Sequence, residues 1–145
     1  MKIATDSTAQ KNRADLLFGQ KRYDAGRKSP LTGSASSALA RNILKIRSFE
    51  RLLPNWNQNG AAPLSREVTE RAVDLLQFLK IQPQIFPTAR QSVQFEYEKA
   101  NGDYLEFEVF ADKTQCYSEI EGKEQQFLLS NQLKANHLVK LFHAR

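Results

Sequence analysis

The chain has 145 residues, of which 41% are hydrophobic and 26% charged, and its formal net charge is +5 at pH 7. This length predicts one compact domain, and no apolar run approaches the roughly 18 residues that a membrane-spanning helix needs. The single cysteine, Cys116, excludes an internal disulfide framework, and the N-terminus lacks the apolar region of a secretory signal. We therefore expect a cytoplasmic protein that does not contact a membrane.

The charge is divided unevenly along the chain. Residues 1–33 carry seven Lys or Arg and three Asp, whereas residues 91–125 carry three Lys and nine Asp or Glu. Residues 1–33 also lack regular periodicity, which predicts a mobile basic N-terminal arm followed by a single α+β domain over residues 34–145. The arm is either a frayed terminus or a segment that orders on a partner or on the second subunit of a homodimer. Its candidate partner-binding residues are Leu16, Leu17, Phe18, Lys21 and Arg22.

Two amphipathic helices are predicted ahead of the strands. Apolar residues recur at steps of three and four, which predicts a helix over residues 36–53 with a stripe of Leu39, Ile43, Ile46, Phe49 and Leu53. A second helix is predicted over residues 66–81, with Ser65 as its N-cap and a buried face of Val68, Ala72, Leu75, Leu76 and Leu79. Two such helices joined by a loop pack as an antiparallel pair.

The predicted β region begins near Gln91, where apolar and polar residues start to alternate. Before it, Pro83 and Pro87 predict that Ile85 and Phe86 form an extended connector rather than a strand of the sheet. Strands are predicted over residues 93–98, 104–110 and 114–121, with a short fourth strand over residues 126–129.

A last helix is predicted over residues 131–143, with Leu133, Leu138, Leu141 and Phe142 toward the core. The predicted fold class is therefore α+β. Two N-terminal helices and the C-terminal helix pack on a three- or four-stranded antiparallel β-meander.

The register of the first two strands follows from the turn between them. A three-residue turn, Ala100-Asn101-Gly102, pairs Tyr97 with Leu105 and brings all apolar residues of both strands to one side. The other side then holds the candidate partner-binding residues Glu96, Glu98, Glu106 and Glu108. Glu96 and Glu106 face each other there. The repulsion between their charges needs compensation by a basic segment of this chain, a basic partner, a cation or solvent. A catalytic carboxylate pair is the remaining interpretation, and no cleft signature accompanies it.

Motifs for catalysis and cofactor binding are absent from the sequence. It has no Gly-rich phosphate loop, no G-x-S-x-G, no H-E-x-x-H and no C-x-x-C. His137 and His143 are six residues apart, so they project in different directions from a helix and do not suit a metal. Cys116 lies in the middle of a predicted strand, as a structural thiol does. We therefore expect no enzymatic activity, no catalytic residue, no metal and no cofactor.

The basic residues of the first helix support a second interpretation. Arg41, Lys45, Arg47 and Arg51 lie on the polar sides of that helix, and a row of cations can follow phosphates. Direct nucleic-acid binding through these residues and the arm is therefore the alternative function. A solvated helix face explains the same pattern.

The loop between the two helices, Trp56-Asn57-Gln58-Asn59-Gly60-Ala61-Ala62-Pro63, contains the only tryptophan. Trp56, Gly60 and Pro63 are its candidate structural residues, with Trp56 as a wedge between elements. The loop and the residues that follow resemble small uncharacterised bacterial proteins with a W-[ND]-x-x-G-A-x-P loop, over about residues 53–112. In that group a helix, a proline-containing connector and acidic-aromatic strands follow the loop. The resemblance implies the fold and carries no activity.

These observations favour a non-catalytic protein-binding module of the antitoxin, immunity or inhibitor type. Its acidic strands would contact a basic surface of a protein partner, and its basic arm would order on binding.

Overall fold

A computed structural model describes residues 35–145, and the candidate arm residues Leu16, Leu17, Phe18, Lys21 and Arg22 lie outside that range. Helix α1 (Ala35–Ser48) continues into a 3-10 turn (Phe49–Arg51) and is followed by α2 (Arg66–Phe78). The strands are β1 (Gln84–Thr88), β2 (Ser92–Glu98), β3 (Tyr104–Val109), β4 (Thr114–Ile120) and β5 (Lys123–Leu128). Helix α3 (Gln132–Ala144) follows the last strand. The arrangement confirms the α+β class.

The strands form one antiparallel sheet in the order β1-β2-β3-β4-β5. The prediction of three or four strands was wrong, because Ile85 and Phe86 belong to β1 and pair with Phe95 and Gln94 of β2. β1 is an edge strand, where a proline such as Pro87 is tolerated because one side of the strand needs no ladder hydrogen bonds.

The predicted register of β2 and β3 is confirmed. Tyr97 pairs with Leu105, Phe95 with Phe107, Val93 with Val109, and Glu96 with Glu106. In the turn, the Lys99 N–H donates to the carbonyl of Asp103 over 2.9 Å and the Gly102 N–H donates to the carbonyl of Lys99 over 3.0 Å. Gly102 has φ +91°, a left-handed conformation that glycine adopts without strain.

The hydrophobic core lies between the helices and one face of the sheet. Ile46 of α1, Leu76 of α2 and Val139 of α3 join one cluster with β-strand residues that include Phe95 and Phe107. The predicted buried face of α2 is correct: Val68, Ala72, Leu75, Leu76 and Leu79 are all buried. Ser65 caps α2, since its hydroxyl accepts the Val68 N–H over 3.3 Å. Within residues 35–145, no helix combines the length and the apolar character that crossing a membrane requires.

Two predicted apolar faces were partly wrong. The first helical segment ends at Arg51, so Leu53 falls outside it and is 74% exposed. On α3, Leu133 is 70% exposed and Leu141 46% exposed, whereas the buried residues are Ala135, Val139 and Phe142. The buried residues recur at steps of four and three, so they form the side of α3 that packs on the core.

The loop between α1 and α2 is held by its own polar groups. The Trp56 Nε1–H donates to the carbonyl of Ala62 over 2.9 Å, and the half-buried indole packs against the core. The Asn57 carboxamide oxygen accepts the Asn59 and Ala61 N–H groups over 3.0 and 2.9 Å. Gly60 has φ +83°. Pro63 follows and is half-buried, immediately before the buried Leu64.

Candidate functional site

The side of the sheet that faces away from the helices carries most of the carboxylates of the strands. We call it the acidic face and define it by three cross-strand rows. The first row runs from β2 to β5 through Glu98, Tyr104, Glu119 and Glu124. The second row runs through Glu96, Glu106, Tyr117 and Gln126, and the third through Gln94, Glu108, Gln115 and Leu128. Successive side chains of a strand alternate between faces, so none of these residues shares a side with the core positions Phe95 and Phe107.

The middle of the acidic face is buried. Glu96 is 3% exposed, Glu106 1% and Glu108 2%, and Gln94 between them is 3% exposed. Of the four glutamates that the sequence singled out, only Glu98 is exposed. The interpretation of a solvated acidic face is therefore wrong for its centre. Burying carboxyl groups is costly unless they are neutralised or hydrogen-bonded, so the contacts at this centre decide what the face can bind.

A glutamine side chain connects the two facing glutamates. The Gln94 Nε2 group donates to Glu96 Oε1 over 2.7 Å and to Glu106 Oε2 over 2.9 Å, and it lies 3.2 Å from the Tyr104 hydroxyl. The Tyr104 hydroxyl donates to the same Glu106 oxygen over 2.7 Å. Neutral donors thus occupy the space between two carboxyl groups that would otherwise repel each other.

Protonation of Glu106 relieves the remaining repulsion. Burial is the main cause that raises the pKa of Glu106 to about 8, and the charges of Glu108 and Glu96 act in the same direction. The hydrogen bond from Tyr104 and the charge of Arg90 act in the opposite direction on this pKa. At neutral pH the carboxyl group of Glu106 is therefore mainly uncharged.

An arginine neutralises Glu108. Arg90, in the turn between β1 and β2, donates from Nε to Glu108 Oε1 over 3.0 Å and from Nη2 to Glu108 Oε2. The Ser92 hydroxyl donates to Glu108 Oε1 over 2.6 Å. The Arg90 guanidinium also lies 5.4 Å from the centre of the Phe110 ring. One cation on this face is therefore held by a carboxylate and an aromatic ring together, a combination that suits guanidinium groups.

Sequence reasoning missed three members of this site. Gln94 and Tyr104 are polar-side positions of the register that was predicted correctly, so extending that register would have included them. Arg90 is the second residue after β1, a segment for which the sequence predicts an extended connector. Recognising β1 as a strand would have placed its turn, and therefore Arg90, beside the first residues of β2.

The basic residues of the first helical segment do not form one row. Arg41 and Lys45 are one turn apart, while Arg47 and Arg51 follow on a different side of the helix axis. Arg47 forms an ion pair with Glu50 over 3.1 Å, and the Lys45 ammonium lies 5.3 Å from the centre of the Phe86 ring. Cations divided in this way match a continuous phosphate backbone less well than a single stripe does.

The thiol and the histidines lie away from the acidic face. Cys116 is 1% exposed on the core side of β4, and burial raises the pKa of its thiol to about 12. A thiol in that state is a poor nucleophile. His143 packs edge-on against Tyr97, with 5.5 Å between the ring centres. Residues 35–145 contain no group of three or more His, Cys, Asp or Glu placed to hold a metal ion.

Among the cavities lined by residues 35–145, two lie on the helix side of the sheet. One, of about 200 Å³, is lined by polar residues of α2 and of the β5–α3 loop, among them Arg71, Asp74 and Asn131. The other, of about 100 Å³, lies between β4, β5 and α3 and is lined by Cys116, Phe127 and Leu138. Neither brings the acidic-face glutamates into a cleft.

No protein-family model, no curated protein and no solved structure matches this chain.

Proposed function

We propose that this chain is a small non-catalytic protein-binding module of the antitoxin, immunity or inhibitor type. Its acidic face would contact a basic surface of the partner. The observation that carries the proposal is the concentration of glutamates and tyrosines on one side of β2, β3 and β4, with Arg90 already held there by Glu108. An arginine of a partner would find accessible carboxylates at Glu98 and Glu124, which are exposed.

The first row of the acidic face is the part that a partner reaches most directly. Glu98 and Glu124 are exposed, Glu119 is half-buried, and the ring of Tyr104 lies among them in the row. Three carboxylates along one row of the sheet suit a surface that presents several Lys or Arg side chains. Attraction between such surfaces accelerates association and weakens as salt screens the charges.

The test uses a fluorescent arginine-rich peptide as a probe of basic surface and the full-length chain as the binder. We expect saturable binding by fluorescence anisotropy, with an affinity that falls as salt rises. Changing Glu98, Glu119 and Glu124 together to Gln should reduce the affinity at least tenfold at low salt. A matched variant that changes the exposed Glu67, Asp74 and Asp112 to Gln or Asn alters the net charge equally and should bind nearly as the natural chain does.

Equal loss of affinity in both variants would show that the probe responds to net charge only, and would contradict the proposal. Absence of saturable binding at low salt would contradict it as well.

A further inference from the structure

The larger of the two cavities on the helix side, of about 200 Å³, is lined by three elements. Thr114, at the start of β4, forms its floor, and Arg71, Asp74 and Leu75 of α2 form one wall. The link between β5 and α3, residues 129–132, forms the opposite wall. We call this space the polar cavity, since polar groups predominate along its walls.

The floor of the polar cavity carries a buried hydroxyl group. Thr114 pairs with Val109 of β3, whose side chain belongs to the core, and directly paired residues of antiparallel strands point to the same side. The Thr114 side chain therefore points to the helix side, into the cavity. Thr114 is only 9% exposed, and within residues 35–145 its hydroxyl has no hydrogen-bond partner. Because a buried hydroxyl is costly unless another group bonds to it, this hydroxyl indicates a polar ligand.

Arg71 supplies a positive charge to the wall formed by α2. Its Nε group donates to the carbonyl of Phe110 over 3.0 Å, which holds the guanidinium against the turn between β3 and β4. That hydrogen bond uses one of the five N–H donors of the side chain. Arg71 is half-buried, and no carboxylate of residues 35–145 forms an ion pair with it. The planar guanidinium is the group that best matches the two oxygens of a carboxylate.

Helix α3 begins at the opposite wall. The Asn131 carboxamide oxygen caps it by accepting the Lys134 N–H over 2.9 Å, and Gln132, the first residue of the helix, lines the cavity. The first N–H groups of a helix have no partner inside the helix and carry the positive end of its dipole. Arg71 and the start of α3 therefore both favour a carboxylate in the space between the two walls.

Asp74 adds a charge of the opposite sign to the same cavity. It lies one helical turn after Arg71, and it is exposed. Among the ion pairs of the described residues, none joins these two side chains. A simple anion would be attracted by Arg71 and repelled by Asp74. A ligand with an ammonium group next to its carboxylate would be attracted by both.

The volume of the cavity limits the ligand to a small molecule. Pockets for drug-sized ligands measure about 300–1,000 Å³, which exceeds the 200 Å³ found here. At about 30 Å³ for each water-sized group, the cavity holds about six or seven such groups. A small α-amino acid such as serine has a comparable number of non-hydrogen atoms.

We propose that the polar cavity binds a small zwitterion of the α-amino acid type. The carboxylate lies between Arg71, the Thr114 hydroxyl and the first N–H groups of α3, and the ammonium group points toward Asp74. This site is on the opposite side of the sheet from the acidic face. The inference therefore does not rest on the proposed function.

Three related probes test the chemistry of the ligand. L-Serine, L-serinamide and glycerate are titrated into the full-length, ¹⁵N-labelled chain, and amide shifts of residues 112–114 and 132–134 are followed. Serinamide lacks the carboxylate, and glycerate has a hydroxyl in place of the ammonium group. We expect saturable shifts with L-serine and an affinity lower by about tenfold or more for each analogue. No saturable shift with L-serine, or equal affinity for L-serine and either analogue, would overturn the proposal.

A variant at the floor of the cavity tests whether the hydroxyl binds the ligand. Thr114→Val keeps the shape of the side chain and should reduce the affinity for L-serine by about tenfold. Urea denaturation should show no loss of stability, because the hydroxyl has no partner within residues 35–145 to lose. Ser118→Ala is the matched control, since Ser118 is buried on the same side of β4 and lines the other cavity. Unchanged affinity in Thr114→Val, or an equal loss in Ser118→Ala, would contradict the proposed site.

A charge variant tests the position of the carboxylate. Arg71→Gln should weaken the binding of L-serine and remove the preference for L-serine over L-serinamide. Lys80→Gln changes the net charge equally at an exposed position just beyond α2 and should preserve that preference. A preference that persists in Arg71→Gln would overturn the assignment. Thr114→Val does not touch the bond between Arg71 and Phe110, so it keeps the test decisive if Arg71→Gln disturbs that turn.

The outcomes separate this inference from the proposed function. Thr114→Val should leave the affinity for the arginine-rich peptide unchanged, because the polar cavity and the acidic face lie on opposite sides of the sheet. Binding of L-serine without any binding of the peptide would support the inference and contradict the proposed function. Peptide binding without any binding of L-serine would support the proposed function and contradict the inference.

Discussion

Glu96 and Glu106 are directly paired across β2 and β3, and the carboxamide of Gln94 donates to both of them. Two buried carboxyl groups at paired positions are compatible with a stable sheet only if their charges are reduced or their oxygens are satisfied. Here Gln94 and Tyr104 supply donors, and the raised pKa of Glu106 removes one charge at neutral pH. The centre of the acidic face is thus arranged to remain stable while it concentrates acidic groups.

Removing the bridging amide should destabilise the protein. Gln94→Leu keeps a similar volume but removes one hydrogen-bond donor from each of the buried carboxyl groups of Glu96 and Glu106, so we expect the free energy of unfolding to fall by about 1–3 kcal/mol. Urea denaturation measures the change. Gln126→Leu, at an exposed position of the same face, should change the free energy by less than about 0.5 kcal/mol. Equal effects at both positions would contradict the role given to the amide.

Stability should depend on pH through Glu106. Its pKa is about 8 in the folded chain and 4.5 in its unperturbed state, so the folded chain binds more protons between these values. The stabilisation is therefore complete below about pH 4.5 and is lost as the pH rises through 8, by at most about 1.4 kcal/mol per pH unit. Glu106→Gln keeps a neutral group of the same shape and should flatten the decline, so that the variant exceeds the natural chain in stability above pH 8.

Comparing the natural chain with the Glu106→Gln variant isolates the contribution of Glu106 to the pH dependence of stability. His143, whose pKa is lowered mainly by burial, contributes with the opposite sign, and its contribution is common to both proteins. Glu98→Gln, on the same strand as Glu96 but exposed, is the control and should leave the decline unchanged. The measurement is a series of urea denaturation curves from pH 5 to pH 9. A decline of the same size in Glu106→Gln would show that another group causes it.

The pair formed by Arg90 and Glu108 should be strongly coupled. Arg90→Ala leaves the buried Glu108 carboxylate without its guanidinium and should lower the free energy of unfolding by about 1–3 kcal/mol, since the arginine side chain itself is 41% exposed. Glu108→Gln in the same chain should recover part of that loss. A double-mutant cycle in urea gives the coupling energy, which we expect to exceed about 0.5 kcal/mol. Strict additivity of the two changes would rule out the coupling.

Trp56 should affect stability rather than binding. Trp56→Ala removes a half-buried ring that packs on the core, and we expect a loss of about 3 kcal/mol, at the low end for a tryptophan. Trp56→Phe keeps most of the packing and loses the hydrogen bond to the Ala62 carbonyl, at a cost of about 1 kcal/mol. Thermal denaturation measures both. Unchanged stability together with lost affinity for the arginine-rich peptide would instead make Trp56 a binding residue.

The sequence predicted which residues form the acidic face, but it did not predict that the centre of this face is buried. Alternation along residues 93–110 was sufficient to pair Glu96 with Glu106, because a register shift by one residue would have moved every apolar side chain to the wrong face. The burial of these glutamates could not be predicted, since burial depends on what covers a face and alternation carries no information about that. The strand β1 was missed because Pro87 argues against a central strand, and the sequence does not show that β1 lies at an edge.

Binding of a basic ligand by the acidic face tests the central claim most directly. Fluorescence anisotropy compares the affinity of the arginine-rich peptide for the natural chain with its affinity for the variant that carries Gln at the three glutamates of the first row. The account predicts an affinity at least tenfold lower for that variant at low salt, and a nearly unchanged affinity for the matched variant with the same net charge. Equal loss of affinity in both variants would contradict the claim that the acidic face is the binding surface.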